Sequence, residues 1–197
     1  MPSTSNPFGL VPVGHQSGYG TRGARAIPNA LPTGYATAIY ENQPVQLLTT
    51  GYIQEVQANN VDFIGSFVGV EWTDSTGRFR VSNTWPAAQA GTNITCYVND
   101  DPNLIYEIQL DGQISATLAT ANAIIGDQVN FTNLSNGSTL TGLSAATAGV
   151  TPVGSGSSGQ LRVVGFSQRT DNAPTDAYPI VQVMVSRHQY VAVKNAI

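Results

Sequence analysis

The sequence predicts an all-β fold built from short antiparallel strands, of the kind that forms sandwiches and barrels. Two observations lead to this prediction. Apolar and β-branched residues recur in short runs, as at residues 45–47, 63–70 and 181–185, and turn-forming residues bound each run. By contrast, only residues 116–123 form an Ala-rich run, and the Thr residues dispersed through it lower its helix propensity. A short helix is possible there, and strands are expected elsewhere.

Residues 45–72 are the stretch around which the rest of the chain is organised. Val45 and Leu47 alternate before a Thr-Thr-Gly turn, and the chain returns through Ile53. A longer apolar run follows at residues 63–70, where two glycines interrupt it. This order predicts a strand, a turn, a second strand and then a heavily buried strand.

Turn signals define the remaining strands. The sequence Thr-Asp-Ser-Thr-Gly at residues 73–77 predicts a hairpin turn between strands at residues 68–72 and 78–81. The Asn-Gly dipeptide at residues 136–137 predicts a second hairpin, and the Gly- and Ser-rich residues 147–159 predict a flexible loop. Further strands are predicted at residues 36–40, 93–98, 104–110, 113–115, 127–132, 138–143, 161–166 and 178–187.

The domain organisation follows from a change in composition near residue 34. Residues 1–34 contain five prolines and six glycines, so they can hardly form a core of their own. They are either a disordered leader or an extended arm, and the apolar residues 8–13 favour an arm that docks on, or adds to, a neighbour's sheet edge. We expect an all-β body at residues 35–190, with a possible sub-lobe at residues 116–160, and a C-terminal tail at residues 191–197.

The surface is expected to be poor in charge. Charged residues make up 10% of the chain, against roughly a quarter in an ordinary soluble domain. One interpretation is a robust protein kept soluble by hydroxyl and amide groups. The other is a surface that is largely covered in an assembly, where isolated charges are costly to bury.

The charge balance also bears on partners. Eight basic residues stand against twelve acidic ones, without the basic stripe that nucleic-acid binding requires. No apolar stretch approaches the length of a membrane span, and the N-terminus does not resemble a secretion signal. We therefore expect no nucleic-acid partner, no membrane association and synthesis in the cytosol.

Residues that could carry catalysis or bind metals are few. His15 and His188 have no candidate ligand beside them, and both are expected at the surface. Cys96 alternates in phase with two apolar neighbours, which is typical of a small core residue. An acid, a base, a nucleophile and an orienting group cannot be assembled from these positions, so the sequence predicts no enzyme, cofactor or metal site.

Two weaker candidates for binding sites remain. Asp100 and Asp101, with Asp111 in the next turn, could form a calcium site, although a polar β-turn explains them more simply. Trp72 and Trp85, together with the tyrosines, could line a sugar-binding face. Tryptophans in a β domain are more often core or interface anchors.

Two segments of the organising stretch carry a family resemblance. Residues 40–53 read Y-x-x-Q-P-V-x-L-x-x-x-G-x-I, and residues 63–70 read F-I-G-x-x-V-G-V. Together they resemble the β-tulip core of tailed-bacteriophage head decoration proteins. In that core two strands are joined by a turn at Gly, and a strand with the pattern of residues 63–70 follows. The resemblance implies a β-tulip or barrel-like domain.

Four further motifs resemble larger phage head proteins of similar length. They are N-P-F-G-L at residues 6–10, D-D-P at residues 100–102, E-I-Q-x-D-G at residues 107–112 and L-R-V-V-G at residues 161–165. The chain is larger than the small decoration proteins. The resemblance implies a cement protein on the outside of the virion capsid, commonly a homotrimer, whose N-terminal arm adds to strands of the major capsid protein.

If this resemblance holds, the residues expected to bind the capsid lie in the arm. The apolar contacts would come from Phe8, Leu10, Val11 and Val13, and ion pairs with capsid carboxylates from Arg22 and Arg25. Trp85 is the candidate for self-association. The alternatives are a carbohydrate-binding or host-adhesion module on the virion, and another virion component such as a tail or head-completion protein.

Overall fold

The computed structural model describes residues 4–18, 20–21, 23–57, 61–134 and 137–191, and it confirms the all-β prediction. One short helix, α1 (Leu118–Asn122), lies in the Ala-rich run where a helix was possible. Among the described residues, no helix is both long and apolar enough to cross a membrane. The strands are β1 (Val11–His15), β2 (Arg25–Pro28), β3 (Pro44–Leu47), β4 (Ile53–Glu55), β5 (Gly65–Thr73), β6 (Phe79–Ser82), β7 (Thr92–Asn99), β8 (Leu104–Gln109), β9 (Gln128–Val129), β10 (Phe131–Asn133), β11 (Thr147–Ala148), β12 (Leu161–Phe166) and β13 (Ile180–Val185).

The strands form three antiparallel sheets. The N-terminal sheet has the order β2-β7-β5-β3-β4, and β6 pairs with the second half of β5. The C-terminal sheet has the order β1-β8-β13-β12-β9, and β10 and β11 form a separate pair. None of the three sheets closes into a barrel in the part of the chain that the structure describes.

Each large sheet has its own hydrophobic core. In the C-terminal sheet the core contains Tyr106, and the rings of Phe63 and Phe131 meet edge to face at 5.3 Å between centroids. In the N-terminal sheet it contains Trp72 and Trp85, whose rings meet edge to face at 5.6 Å. Aromatic side chains bury the most apolar area per residue, so these two pairs anchor the two cores.

The organising stretch folds as the sequence predicts. β3 and β4 form a hairpin with Val45 opposite Glu55 and Leu47 opposite Ile53. β5 follows as a long and mostly buried strand, because both of its neighbours in the sheet and the core below cover it. Its second half forms the predicted hairpin with β6.

The turn of the β5–β6 hairpin is held by Asp74. Its carboxylate accepts hydrogen bonds from the backbone N–H groups of Thr76 and Arg78 and from the Thr76 hydroxyl, and it pairs with Arg80. The Thr76 hydroxyl and then the Arg80 guanidinium lower the pKa of Asp74, because both stabilise the charged carboxylate. An acidic residue at the start of a turn commonly binds the following backbone in this way.

Several details of the strand prediction are wrong. Residues 113–115 form no strand, because the Asp111 N–H and carboxylate bind Ala148 O and Val150 N and turn the chain away from the sheet. Residues 36–40 contribute only a single bridge, from Ile39 to Trp85. β10 pairs with β11, inside the predicted flexible loop, rather than with residues 138–143. Asn136 of the predicted hairpin dipeptide lies outside the described residues.

The two sheets meet at the end of β7, where the carbonyl of Asn99 contacts both β5 of its own sheet and β8 of the C-terminal sheet. Gly65 has φ of +142°, and a Cβ at this position would overlap the carbonyl oxygen of Asn99. The Tyr106 hydroxyl, from β8, donates to the same carbonyl at 2.9 Å. Only glycine combines this backbone conformation with the missing side chain that the contact requires.

We expect Gly65→Ala to lower the free energy of unfolding by about 3 kcal/mol or more, because the new methyl group forces β5 away from β7. Chemical denaturation measures this change. The matched control is Gly14→Ala, where a Cβ has no neighbour within 4 Å, and its effect should stay within about 0.5 kcal/mol. Equal effects of the two substitutions would show that the close approach is not a constraint on the fold.

Candidate interaction surfaces

The N-terminal segment packs against the chain's own sheets in this structure. β1 pairs with β8, with Val11 opposite Glu107 and Pro12 opposite Tyr106, and so supplies one edge of the C-terminal sheet. β2 pairs with β7 and supplies one edge of the N-terminal sheet. The segment therefore adds strands to sheets of its own chain. Addition to a neighbour's sheet stays a prediction.

Leu10 anchors this segment in the core. It is fully buried in the core of the C-terminal sheet, and its N–H donates to Asn42 O at 2.8 Å. The preceding Gly9 has φ of +80°, and a Cβ there would overlap the same carbonyl oxygen. Leu10 was one of the residues expected to contact a capsid. Its side chain is buried in the core of its own chain and cannot make that contact while the core is intact.

The other three apolar candidates are more accessible. Phe8 and Val11 are half-buried, and Val13 is 39% exposed. Phe8 lies on the outer face of the C-terminal sheet, where the Arg169 guanidinium sits 5.2 Å from its ring centroid. Of the four apolar candidates, Val13 is therefore the one that a partner reaches most easily.

Arg169 is held in place by a buried carboxylate. Its Nε and one terminal nitrogen lie 2.9 and 2.7 Å from Glu107 Oε2. Ser167 Oγ donates to the other carboxylate oxygen at 2.6 Å. Glu107 is almost fully buried, so these bonds offset the cost of removing its charge from water. They fix the guanidinium against which the Phe8 ring packs.

Arg25 is already paired within the chain. Its Nε donates to Asp100 Oδ2 at 2.5 Å, and a terminal nitrogen donates to the Tyr190 hydroxyl at 2.7 Å. Burial alone would lower the pKa of Arg25, but the hydrogen bond and the charge of Asp100 outweigh burial and raise it. A capsid carboxylate would have to compete with Asp100. Arg22, the second predicted cation, lies outside the described residues.

A polar cleft of about 590 Å³ surrounds the turn between β7 and β8. Arg25, Asp100 and Tyr190 form one wall, and His15 approaches Asp101 at 3.4 Å on the other. The structure thus brings together side chains that the sequence analysis treated separately. Asp100 lies beside Arg25 and Asp101 beside His15. The cleft can therefore form hydrogen bonds with polar groups, but these carboxylates are not free to bind a cation and Arg25 is not free to bind an anion.

The calcium alternative is not supported by this geometry. Asp111 accepts a hydrogen bond from Val150 N at the far end of β8, away from the turn that holds Asp100 and Asp101. In the described ranges no three His, Cys, Asp or Glu side chains are placed to hold a metal ion. The polar-turn interpretation accounts for Asp101, whose carboxylate accepts from Asn103 N at 2.9 Å.

The prediction that His188 lies at the surface is wrong. His188 is 2% exposed, its Nδ1 accepts from Tyr190 N at 3.2 Å, and its ring centroid lies 5.4 Å from that of Tyr190. Burial lowers the pKa of His188, and the opposing effects of the Ile64 and Asp100 carbonyls do not reverse this shift. The imidazole is therefore neutral, and the backbone on either side of it holds the chain beyond β13 against Phe63, just before β5, with hydrogen bonds from Phe63 N to Arg187 O and from Gln189 N to Phe63 O.

Cys96 is a core residue, as the sequence predicts. It is fully buried, and burial raises the pKa of its thiol to about 12. A thiol with so high a pKa is almost entirely protonated at neutral pH, so it behaves as a small apolar side chain.

The burial of Trp85 does not support its predicted role in self-association. Its side chain is fully buried against Trp72, and its backbone N–H and C=O both bond to Ile39. A second copy of the chain could reach the indole only by opening the core of the N-terminal sheet. Trp85 is a core anchor, which is the more common role of tryptophan in a β domain.

The largest exposed apolar side chains on a strand are those of β6. Phe79 is 66% exposed and Val81 is 69% exposed. Leu140 is 94% exposed in a nearby loop, whose Gly142 contacts Asn83 just beyond the end of β6. The sequence predicted this strand but not its exposure, since the alternation of Arg with Phe and Val is equally compatible with a strand that covers a core.

Comparisons with known proteins give no relative on which to base a function. No protein-family model, curated protein or solved structure matches this chain. Function must therefore be argued from the surfaces described above.

We expect the deletion of residues 1–34 to abolish cooperative unfolding. The deleted segment supplies two edge strands and four buried core residues, Leu10, Ile27, Ala30 and Leu31. Losing one buried Leu or Ile side chain typically costs 2–5 kcal/mol, against a total stability of about 5–15 kcal/mol. Near-ultraviolet circular dichroism and thermal melting measure the outcome. Deleting only residues 1–5 is the control, and a folded protein lacking residues 1–34 would contradict this placement of the arm.

We expect His188 to make the protein less stable in acid. The pKa of folded His188 lies below its ordinary value of 6.5, so the unfolded chain binds the proton first. This contribution is complete above pH 6.5 and is lost as the pH falls through 6.5 towards the folded pKa, with a limiting slope of about 1.4 kcal/mol per pH unit. Unfolding free energies of wild type and His188→Gln between pH 7.5 and 5 measure it. The difference between the two proteins should shrink in acid, and parallel curves would contradict the prediction.

Proposed function

We propose that this chain is a decoration protein of a tailed-bacteriophage head, which binds the outside of the mature shell and stabilises it. Its partner is the major capsid protein, and it acts as a homo-oligomer, a trimer in the simplest case. Binding only the mature shell stabilises that shell by mass action, and many copies multiply a modest affinity. The function requires no catalytic turnover.

The observation that carries the proposal is the spatial arrangement of the head-protein motifs. Residues 6–10 lead into β1, residues 107–112 include the end of β8, and residues 161–165 lie in β12. In the C-terminal sheet these strands stand in the order β1-β8-β13-β12. Three of the four motifs thus lie in strands of one sheet or lead directly into one. This supports their interpretation as one structural unit rather than as unrelated short matches.

The charge pattern is consistent with a surface that other proteins cover. Four arginines pair with carboxylates of the same chain, in the pairs Arg25–Asp100, Arg80–Asp74, Arg169–Glu107 and Arg187–Asp62. Charges that are neutralised within the chain need no partner when an interface forms, which lowers the cost of covering them. Contact with a shell would then rest mainly on apolar side chains and backbone hydrogen bonds, and these four arginines would contribute little.

The carbohydrate-binding alternative has less support. It requires an open aromatic face, and Tyr190 is the tyrosine that lines the polar cleft, with 48% exposure. The Arg25 guanidinium lies over its ring at 5.7 Å from the centroid, and the His188 ring also contacts it. A sugar would have to displace Arg25 before it could stack on this ring.

We expect the purified protein to co-sediment saturably with expanded shells of its phage from which it has been stripped, and not with unexpanded shells. Bound shells should melt at a higher temperature, because the protein binds only the intact state. Sedimentation and calorimetry measure both effects, with another β protein of similar size and net charge as the control. Binding to neither form of the shell would contradict the proposal, and binding to tails alone would indicate a tail position.

A further inference from the structure

The strand β6 has a free edge. It pairs with β5 on one side, and in the described part of the chain no strand pairs with its other side. A free edge presents a row of backbone N–H and C=O groups that can hydrogen-bond to an incoming strand. Proteins usually protect such edges, so an edge that also exposes large apolar side chains points to an interaction site.

The two faces of β6 differ in chemistry. Phe79 and Val81 lie opposite Thr73 and Glu71 of β5, on the face that points away from the core, and both are about two-thirds exposed. Arg80 lies opposite Trp72, on the other face, and Arg78 precedes it by two residues and so shares that face. An incoming strand therefore meets apolar side chains on one face and guanidinium groups on the other.

The two arginines are not equally available. Arg80 is paired with Asp74 at 2.8 Å. Arg78 is exposed and, within the described ranges, makes no ion pair. Arg78 is thus the cation that an incoming carboxylate can pair with at no cost to an existing bond, and Arg80 adds to the positive potential of the same face.

A second copy of β6 is a poor occupant of this edge. If two β6 strands pair antiparallel so that Phe79 of each lies opposite Val81 of the other, Arg80 must lie opposite Arg80. Like charges directly opposite each other destabilise a strand pair, and basic residues on an edge strand are a common protection against self-pairing. The edge is therefore protected against its own copy but open to a strand of opposite charge.

We propose that β6 binds an extended segment of another protein in which acidic residues alternate with apolar residues. The segment adds to the N-terminal sheet as a further strand beyond β6. Its apolar side chains cover Phe79 and Val81, and its carboxylates pair with Arg78 on the other face. This inference rests on the proposed function, under which the segment belongs to the phage shell, and it specifies the chemistry of that contact.

The direct experiment uses two synthetic nine-residue peptides, one alternating Val with Glu and one alternating Val with Lys. We expect the Glu peptide to protect from hydrogen exchange those amides of β6 that point to its free edge in the full-length protein, and the Lys peptide to have no such effect. Arg78→Glu should weaken binding of the Glu peptide by about tenfold, and Arg162→Glu, an exposed arginine of β12, is the control. Equal binding of both peptides, or protection elsewhere only, would overturn the proposal.

A second experiment separates failure of this site from failure of the proposed function. In the shell co-sedimentation assay, the double variant Phe79→Ser, Val81→Ser should bind at least about tenfold more weakly than wild type. Leu118→Ser removes a similarly exposed apolar side chain on α1 and should bind normally, and thermal melting checks that both variants fold. Unchanged binding of the double variant would reject the β6 site while leaving the capsid role intact. Absence of wild-type binding would reject the capsid role itself.

A measurement of self-association tests whether β6 binds a second copy of the chain instead of another protein. Sedimentation velocity of wild type and of the double variant shows whether β6 joins copies of the chain. The proposal expects the same oligomeric state for both proteins. An oligomer that dissociates in the double variant would show that the occupant is a second copy and would overturn the hetero-partner assignment.

Discussion

The contact between β5, β7 and β8 at Gly65 is the constraint on which the two-sheet arrangement depends. Tyr106 belongs to the core of the C-terminal sheet, yet its hydroxyl donates to the carbonyl of Asn99 at the end of β7 in the N-terminal sheet. Burial raises the pKa of Tyr106, so this hydroxyl remains a donor at all physiological pH values. Because Gly65 has no side chain, β5 can lie against this carbonyl within the N-terminal sheet and still leave room for the Tyr106 hydroxyl, which links the two cores. The cleft at the β7–β8 turn lies beside this junction.

Much of the fold could be predicted from local patterns. The β3–β4 hairpin, the long buried strand β5, the Asp74 turn and the alternation along β13 follow from periodicity and turn chemistry, which are properties of a few neighbouring residues. The errors share one cause. At residues 113–115 and 147–148 the outcome depends on which distant backbone groups accept hydrogen bonds, as when Ala148 pairs with Phe131 and accepts from Asp111 N. Local sequence does not contain that information.

The candidate surfaces were harder to predict than the fold, for a similar reason. Composition identifies residues 1–34 as a segment without its own core, but it does not tell which sheet edges the segment joins, and here they belong to the same chain. The spacing of His15 and His188 in sequence hides the fact that both lie near the β7–β8 turn. The exposure of Phe79 and Val81 depends on which face of β6 is turned towards the core, and the three-dimensional arrangement places Arg80 rather than these two residues beside the buried Trp72.

The placement of β1 has a consequence for the order in which the chain folds. β1 ends at residue 15, but its partner β8 begins at residue 104, so a ribosome must add about 90 residues before the pair can form. At a synthesis rate of about 5–20 residues per second, the N-terminal segment stays unpaired for several seconds. During that interval it is free to meet strand edges of other chains. Folding of the completed chain then closes a long loop, which makes formation of the C-terminal sheet a late and slow event. The same segment is thus unpaired while the chain is being synthesised, and it is an edge strand of the chain's own sheet once folding is complete.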